Sequence, residues 1–113
     1  MSNLINQTCE ACEIGAPLVP EVDQAELLEG LDGWEIDSTE TSKLVKKYKF
    51  LSYKEASTFV NLIVDLATSE DHHPKITLEW GVVHLEWWSH KIKGLHMNDF
   101  ICAAKSNKLF QSL

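Results

Sequence analysis

The chain has 113 residues, 44% of them hydrophobic, and a formal net charge of −7. That length fits one domain with a single modest core, and no apolar run long enough for a membrane span or basic leader pattern is present, so neither membrane insertion nor export is expected. The acidic balance argues against a nucleic-acid binder, and the ten cations are all lysines, so the chain lacks the arginine forks that usually hold phosphorylated or strongly anionic ligands.

Residues 1–20 read as a flexible N-terminal arm, and residues 21–113 as a single domain. The arm contains Cys9-Glu-Ala-Cys12, followed by Gly15-Ala-Pro17. Zinc takes four ligands, and no second Cys-x-x-Cys exists. A thioredoxin-like pair would open a helix, which Gly-Ala-Pro contradicts, so the arm is read as non-catalytic. Three cysteines do not make a disulfide scaffold, and a reducing cytoplasm is the expected compartment.

Glu21 to Leu31 reads as a short helix with Val22, Ala25 and Leu28 on its apolar stripe, joined by Leu27 and Leu31, and Gly30 and Gly33 break it. Trp34-Glu-Ile36 begins a first strand, Asp37 to Glu40 is turn chemistry, and Lys43 to Phe50 is a second strand, completing a hairpin. Leu44, Tyr48 and Phe50 share one face of that strand. Lys46 interrupts the face, which implies either an edge strand or a snorkelling lysine.

Ser52 is placed to cap a helix at the amide of Glu55, with Glu55 reaching back to Ser52 and Leu51 stapled to Ala56. The helix runs to about Ser69, with Ala56, Phe59, Val60, Ile63 and Ala67 facing the core; Leu62, Val64 and Leu66 fall partly off that stripe. Pro74 excludes further helix. Lys75 to Trp80 alternates as a third strand with Ile76, Leu78 and Trp80 on one face, and Gly81 turns the chain. Val82 to Trp88 is a fourth strand, with Val83, Leu85 and Trp87 opposite Val82, His84, Glu86 and Trp88. A last helix from about Met97 to Leu109 buries Met97, Phe100, Ile101 and Ala104, with Asp99 in its first turn and Cys102 as a packed thiol. The resulting fold class is α+β: an α-β-β-α-β-β-α chain whose four-stranded antiparallel sheet is covered by helices on one face.

All five histidines lie between Glu70 and Asp99, with three of the four tryptophans. His72 and His73 follow a helix, His90 leaves a strand, and Asp99 opens the next helix. Such joints can bring imidazoles and a carboxylate together for acid–base work near neutrality. His84 shares strand parity with Glu86 and reads as structural. His96 reads as a helix cap. Trp80, Trp87 and Trp88 read first as core or rim.

His72-His73-Pro74, five residues before Trp80, with His90 and Asp99 at fixed further intervals, resembles the signature of the pterin-4a-carbinolamine dehydratases. Trp87-Trp88-Ser89-His90, Gly94-Leu95-His96-Met97-Asn98-Asp99-Phe100 and Ala103-Ala104-Lys105 are similar to bacterial members. The sequence departs at Thr68, where the family usually has an ionisable residue; Glu70 and Asp71 are the nearby carboxylates. The resemblance implies the same α+β fold, assembled as a homodimer or homotetramer. It also implies dehydration of 4a-hydroxytetrahydropterin to quinonoid dihydropterin and water, which recycles the tetrahydrobiopterin of an aromatic amino acid hydroxylase. That reaction delivers a proton to the 4a-hydroxyl and removes one from N5, and it needs no metal, nucleotide or redox cofactor. By the same resemblance His72, His90 and His73 form the catalytic set, His72 and His90 carrying the proton transfers and His73 binding and orienting the pterin, with Asp99, Trp88 and Ser89 also on the substrate side.

Two other readings stand beside this one. The first is a non-catalytic coactivator or assembly factor on the same fold; its relatives tend to lose the histidines that this chain keeps. The second is a zinc protein using His72, His90 and a cysteine, for which no ligand pair has metal-site spacing on one element.

Overall fold

A computed structural model describes residues 4–9 and 17–113. Cys12, Gly15 and Ala16 of the arm lie outside the described residues. After a 3₁₀ turn at Leu4–Asn6, the elements run α1 (Glu21–Glu29), β1 (Glu35–Asp37), β2 (Lys43–Lys49), α2 (Tyr53–Glu70), β3 (Lys75–Glu79), β4 (Val82–Trp87) and α3 (Met97–Gln111). The strands form one antiparallel sheet in the order β1-β2-β4-β3. This is the α-β-β-α-β-β-α order and the α+β class that the hydrophobic periods imply.

Strand parity sorts the sheet. Leu44 and Tyr48 of β2 and Val83, Leu85 and Trp87 of β4 are buried on the helix side. Lys47 and Lys49, His84 and Glu86, and Lys75 and Thr77 belong to the alternate, open face, because register pairs Lys47 with His84 and His84 with Thr77. Ala56, Phe59, Ile63 and Ala67 of α2 are buried, and α3 contributes Phe100 through Ala104. Each large apolar side chain removed from water here is worth about 1.5–3 kcal/mol, which makes this layer the main source of stability.

Several local expectations are revised by tertiary context. The α1 stripe is not a core stripe: Val22 is 76% exposed and Ala25 is exposed, while Leu27 and Leu28 only lean on the core. The Ser52 cap forms, accepting from the Glu55 amide at 3.1 Å, but Glu55 reaches back to the amide of Leu51 rather than Ser52. Leu51 is 88% exposed, so it does not act as a staple. Trp80 falls in the turn after β3 and is 69% exposed. In that turn Gly81 packs so closely that an added Cβ would lie 2.8 Å from the Phe50 carbonyl oxygen, which explains the glycine.

Lys46 sits on an interior strand, so the snorkelling alternative is the correct one. Its Nζ donates to the Asp32 carbonyl at 2.7 Å and to Asn107 Oδ1 at 2.8 Å, and lies 4.5 Å from the Tyr48 ring centroid. Asn107 is a hub that periodicity does not reveal: the same Oδ1 accepts from Trp34 Nε1 at 3.0 Å and from the Tyr48 hydroxyl at 2.5 Å. Burial pushes the Tyr48 phenol well above its ordinary pKa, so it acts as a donor there.

Candidate active site

The end of α2 sets the position of His72. Asp71 adopts the left-handed conformation at φ 51°, while the His72 amide donates to the Ala67 carbonyl at 3.1 Å and the Asp71 amide to Thr68 at 3.4 Å. This is the paired bonding of a Schellman turn, which an Asp tolerates better than a branched residue would. The turn folds His72 back under the helix, where it is only 6% exposed. Its ring lies nearly parallel to Trp87, with centroids 5.6 Å apart and planes at 15°.

The start of α3 supplies the partner. His96 is the N-cap: its Nδ1 accepts from the Asn98 amide at 3.0 Å, which puts its ring proton on Nε2. Asp99 returns the bond from the first turn, accepting from the His96 amide through Oδ2 at 2.9 Å. That oxygen also accepts from the Ser89 hydroxyl at 2.8 Å, and Oδ1 lies 2.6 Å from His72 Nε2. Asp99 is therefore a fully buried carboxylate with three donors, at a helix N-terminus where negative charge is favoured. No buried side-chain polar atom among the described residues lacks a partner. The Asp99 contact occupies Nε2 of His72 and leaves Nδ1 as the ring nitrogen available to a ligand.

The second group lies at the end of β4. Ser89 and Gly94 exchange backbone bonds at 2.9 and 3.4 Å, which closes a short loop carrying His90 and the positive-φ residue Lys93. His90 is exposed, and its ring packs on Trp88 with centroids 4.3 Å apart. Lys43 Nζ stands 4.3 Å from the Trp88 ring centroid and 3.9 Å from Glu86. His73 is also exposed.

The structure thus joins His72, Asp99 and Ser89 into one bonded cluster, and adds His96, whose capping role the sequence suggests. His90 follows Ser89 directly, but its ring contact is with Trp88 rather than with His72. Ser89 is fully buried with its hydroxyl engaged by Asp99. Thr68 is exposed and donates to the Val64 carbonyl at 2.8 Å. Of the two nearby carboxylates, Glu70 accepts from the Cys9 amide at 2.8 Å and from Lys105 at 2.7 Å. Burial works to raise the pKa of Glu70, and the Cys9 amide together with Lys105 outweighs it, holding the carboxyl below its ordinary range.

A cavity of about 960 Å³ lies among Leu18, Leu27, Asn98 and Ile101, with Thr8 and Pro17 on its border; it reaches His96 but is not lined by His72, His73 or His90. Among the described residues no three His, Cys, Asp or Glu side chains are grouped to hold a metal ion. No helix of the described residues is long and apolar enough to cross a membrane.

Comparison with known proteins gives a consistent answer. Residues 17–109 match the family model described as pterin 4 alpha carbinolamine dehydratase. A protein of Saccharophagus degradans, provisionally named a pterin-4-alpha-carbinolamine dehydratase, is 50% identical over 113 residues, covering 98% of this chain and 99% of its own. A Photobacterium profundum protein of the same provisional name is 47% identical over 112 residues, covering 98% of this chain and 100% of its own. Among solved structures, a transcriptional coactivator/pterin dehydratase from Brucella melitensis superposes with a TM-score of 0.78 at 25% identity, over 82% of this chain and 98% of the other. A pterin dehydratase-like RuBisCO assembly factor of the alpha-carboxysome shares the fold at a TM-score of 0.60 and 20% identity, over 68% of this chain and 88% of the other.

Proposed function

The chain belongs to the pterin 4 alpha carbinolamine dehydratase family, and we propose that it dehydrates a 4a-hydroxytetrahydropterin to the quinonoid dihydropterin and water. One observation carries the catalytic reading: the buried His72–Asp99 contact at 2.6 Å, which fixes one ring nitrogen and leaves Nδ1 for substrate. A carboxylate that orients an imidazole and stabilises its protonated form is a recurrent device of acid–base catalysis.

The chemistry needs one group to protonate the departing 4a-hydroxyl and one to take the N5 proton as the C=N bond forms. In this proposal His72 and His90 perform these transfers. With Nε2–H donated to Asp99, Nδ1 of His72 accepts a proton when the ring is neutral and donates one when it is charged. His90 is free to meet the substrate from the Trp88 side. His73 binds and orients the pterin, and Trp88 carries His90 at the rim. Asp99 and Ser89 act by holding His72. Assembly into a dimer or tetramer, and service to an aromatic amino acid hydroxylase, belong to the same proposal.

A stopped-flow dehydration assay tests this reading. His72→Ala and His90→Ala are each expected to lose about 10²- to 10⁴-fold in turnover, and His73→Ala to lose mainly in KM. Unchanged turnover in both of the first two variants rejects the catalytic assignment. The Brucella melitensis relative carries both a coactivator and a dehydratase description, so the competing reading is a non-catalytic binding protein on this fold. Wild-type protein with no dehydration above the uncatalysed rate would favour that alternative.

A further inference from the structure

The described part of the arm holds a feature that dehydration does not use. Leu4 is buried at 2% exposure, and Cys9, a few residues on, has its Sγ 3.5 Å from that of Cys102. Both cysteines are free thiols, Cys102 fully buried and Cys9 partly so. The contact spans 93 residues of sequence. It is not a chance brush of two side chains, because the backbone around it is tied down. The Cys9 amide donates to Glu70 Oε1 at 2.8 Å, Glu70 Oε2 accepts from Lys105 at 2.7 Å, and Cys9 Sγ points at the Asn98 carbonyl 3.8 Å away. A disulfide bond is about 2.05 Å long, so closure requires the sulfurs to approach by about 1.5 Å. Cys9 lies in a short segment outside any helix or strand and Cys102 is fixed in α3, so the approach falls to Cys9.

We propose that Cys9 and Cys102 form a redox pair, oxidised by a low-molecular-weight disulfide to an intramolecular bond that locks the N-terminal arm onto α3. The Cys9 thiolate, the more accessible sulfur, attacks one sulfur of the small disulfide. The reagent's S–S bond breaks, and one small thiol departs with the proton that Cys9 gave up. The Cys102 sulfur then attacks Cys9 in the mixed disulfide, and the second small thiol leaves with the Cys102 proton. Two protein thiols lose two electrons, and the reagent gains both as it becomes two thiols. The neighbouring Cys9 sulfur, and then burial, push the Cys102 thiol well above its ordinary pKa. The second step is therefore the slower of the two. The product ties residues 4–9 to the helix whose first turn carries Asp99.

Cys12 is the competing partner by sequence, so the test uses Cys12→Ser protein incubated with oxidised glutathione. Free thiols are then alkylated, and intact mass and non-reducing peptide maps are read. The expected product is two hydrogens lighter and yields a Cys9–Cys102 linked peptide. Because the bond closes a long loop, its melting midpoint rises by about 10 °C, and reductant reverses the rise. Cys102→Ala in the same background is expected to give only a glutathione adduct and no such rise. Cys12→Ser protein that stays reduced, or stops at glutathione adducts or intermolecular dimers after prolonged oxidation, overturns the proposal. So does wild-type protein whose only recovered bond joins Cys9 to Cys12.

Discussion

His72 and His90 each lie against a tryptophan, and those two tryptophans are neighbours in sequence. Trp87 ends β4 facing the helices, and Trp88 follows with the opposite parity. His72 on Trp87 is buried, stacked and bound to a carboxylate, whereas His90 on Trp88 is exposed, with a lysine on the same indole. The same residue pairing thus acquires opposite surroundings from a single step along a strand. One imidazole has a fixed orientation and a designated free nitrogen. The other is exposed and touches Trp88. A buried and an exposed partner of this kind are expected to fail differently when altered.

Beyond the turnover losses expected of the two histidine variants, the largest effect is at Asp99. Asp99→Asn keeps the shape but turns an NH₂ toward donors already aimed at a carboxylate. Turnover should fall by about 10²- to 10³-fold, with about 2–3 kcal/mol lost from stability. Single-turnover dehydration and urea melts measure the two. Wild-type turnover in this variant would remove the distinction between a held and an unheld histidine.

Stability separates the two histidines next. His72→Ala should cost about 2 kcal/mol, because it leaves Asp99 short of a donor and opens space against Trp87. His90→Ala should stay within about 0.5 kcal/mol of wild type, as exposed substitutions usually do. Equal losses in denaturant titrations would mean that His90 is buried in the working assembly. Ser89→Ala is expected to cost about 1–2 kcal/mol and roughly tenfold in turnover. A change confined to KM would instead put the Ser89 hydroxyl on the substrate.

The smallest effect concerns Glu70. Its carboxyl titrates below the ordinary value of 4.5, because the Cys9 amide and Lys105 outweigh the cost of burial. A depressed folded pKa stabilises above the unfolded value and is lost as pH falls through the folded one. The segment at residues 4–9 should therefore loosen as the pH falls below the ordinary value of 4.5, and Glu70→Gln should abolish that acid step while changing neutral stability by less than about 1 kcal/mol. Proteolysis of the arm between pH 3 and 6 would read it, and identical profiles in the two proteins would rule out this role for Glu70.

Much of this fold is legible in local pattern. The α2 stripe, the Ser52 cap and the inward Val83, Leu85 and Trp87 of β4 follow from periods of 3.6 and 2 and from side-chain reach. The failures come from tertiary context. Trp80 alternates correctly with Ile76 and Leu78, but the turn at Gly81 carries it out of the sheet. Val22 and Ala25 of α1 have helical spacing but no layer above them. The Asn107 hub and the pairing of Glu70 with Lys105 leave no trace in spacing, since each joins residues whose separation in sequence is set by the fold.

By itself, the sequence determined the order of the elements, the sides of α2, β2 and β4 that turn inward, and the thirty residues in which imidazoles and a carboxylate are gathered. Only the tertiary structure decided which of those imidazoles meets Asp99, through which nitrogen, and that Cys9 comes to rest beside Cys102. The physical reason is that periodicity reports the direction a side chain leaves its own backbone. What it meets there depends on how separate elements pack, and that is fixed by burial of the whole core rather than by any one segment.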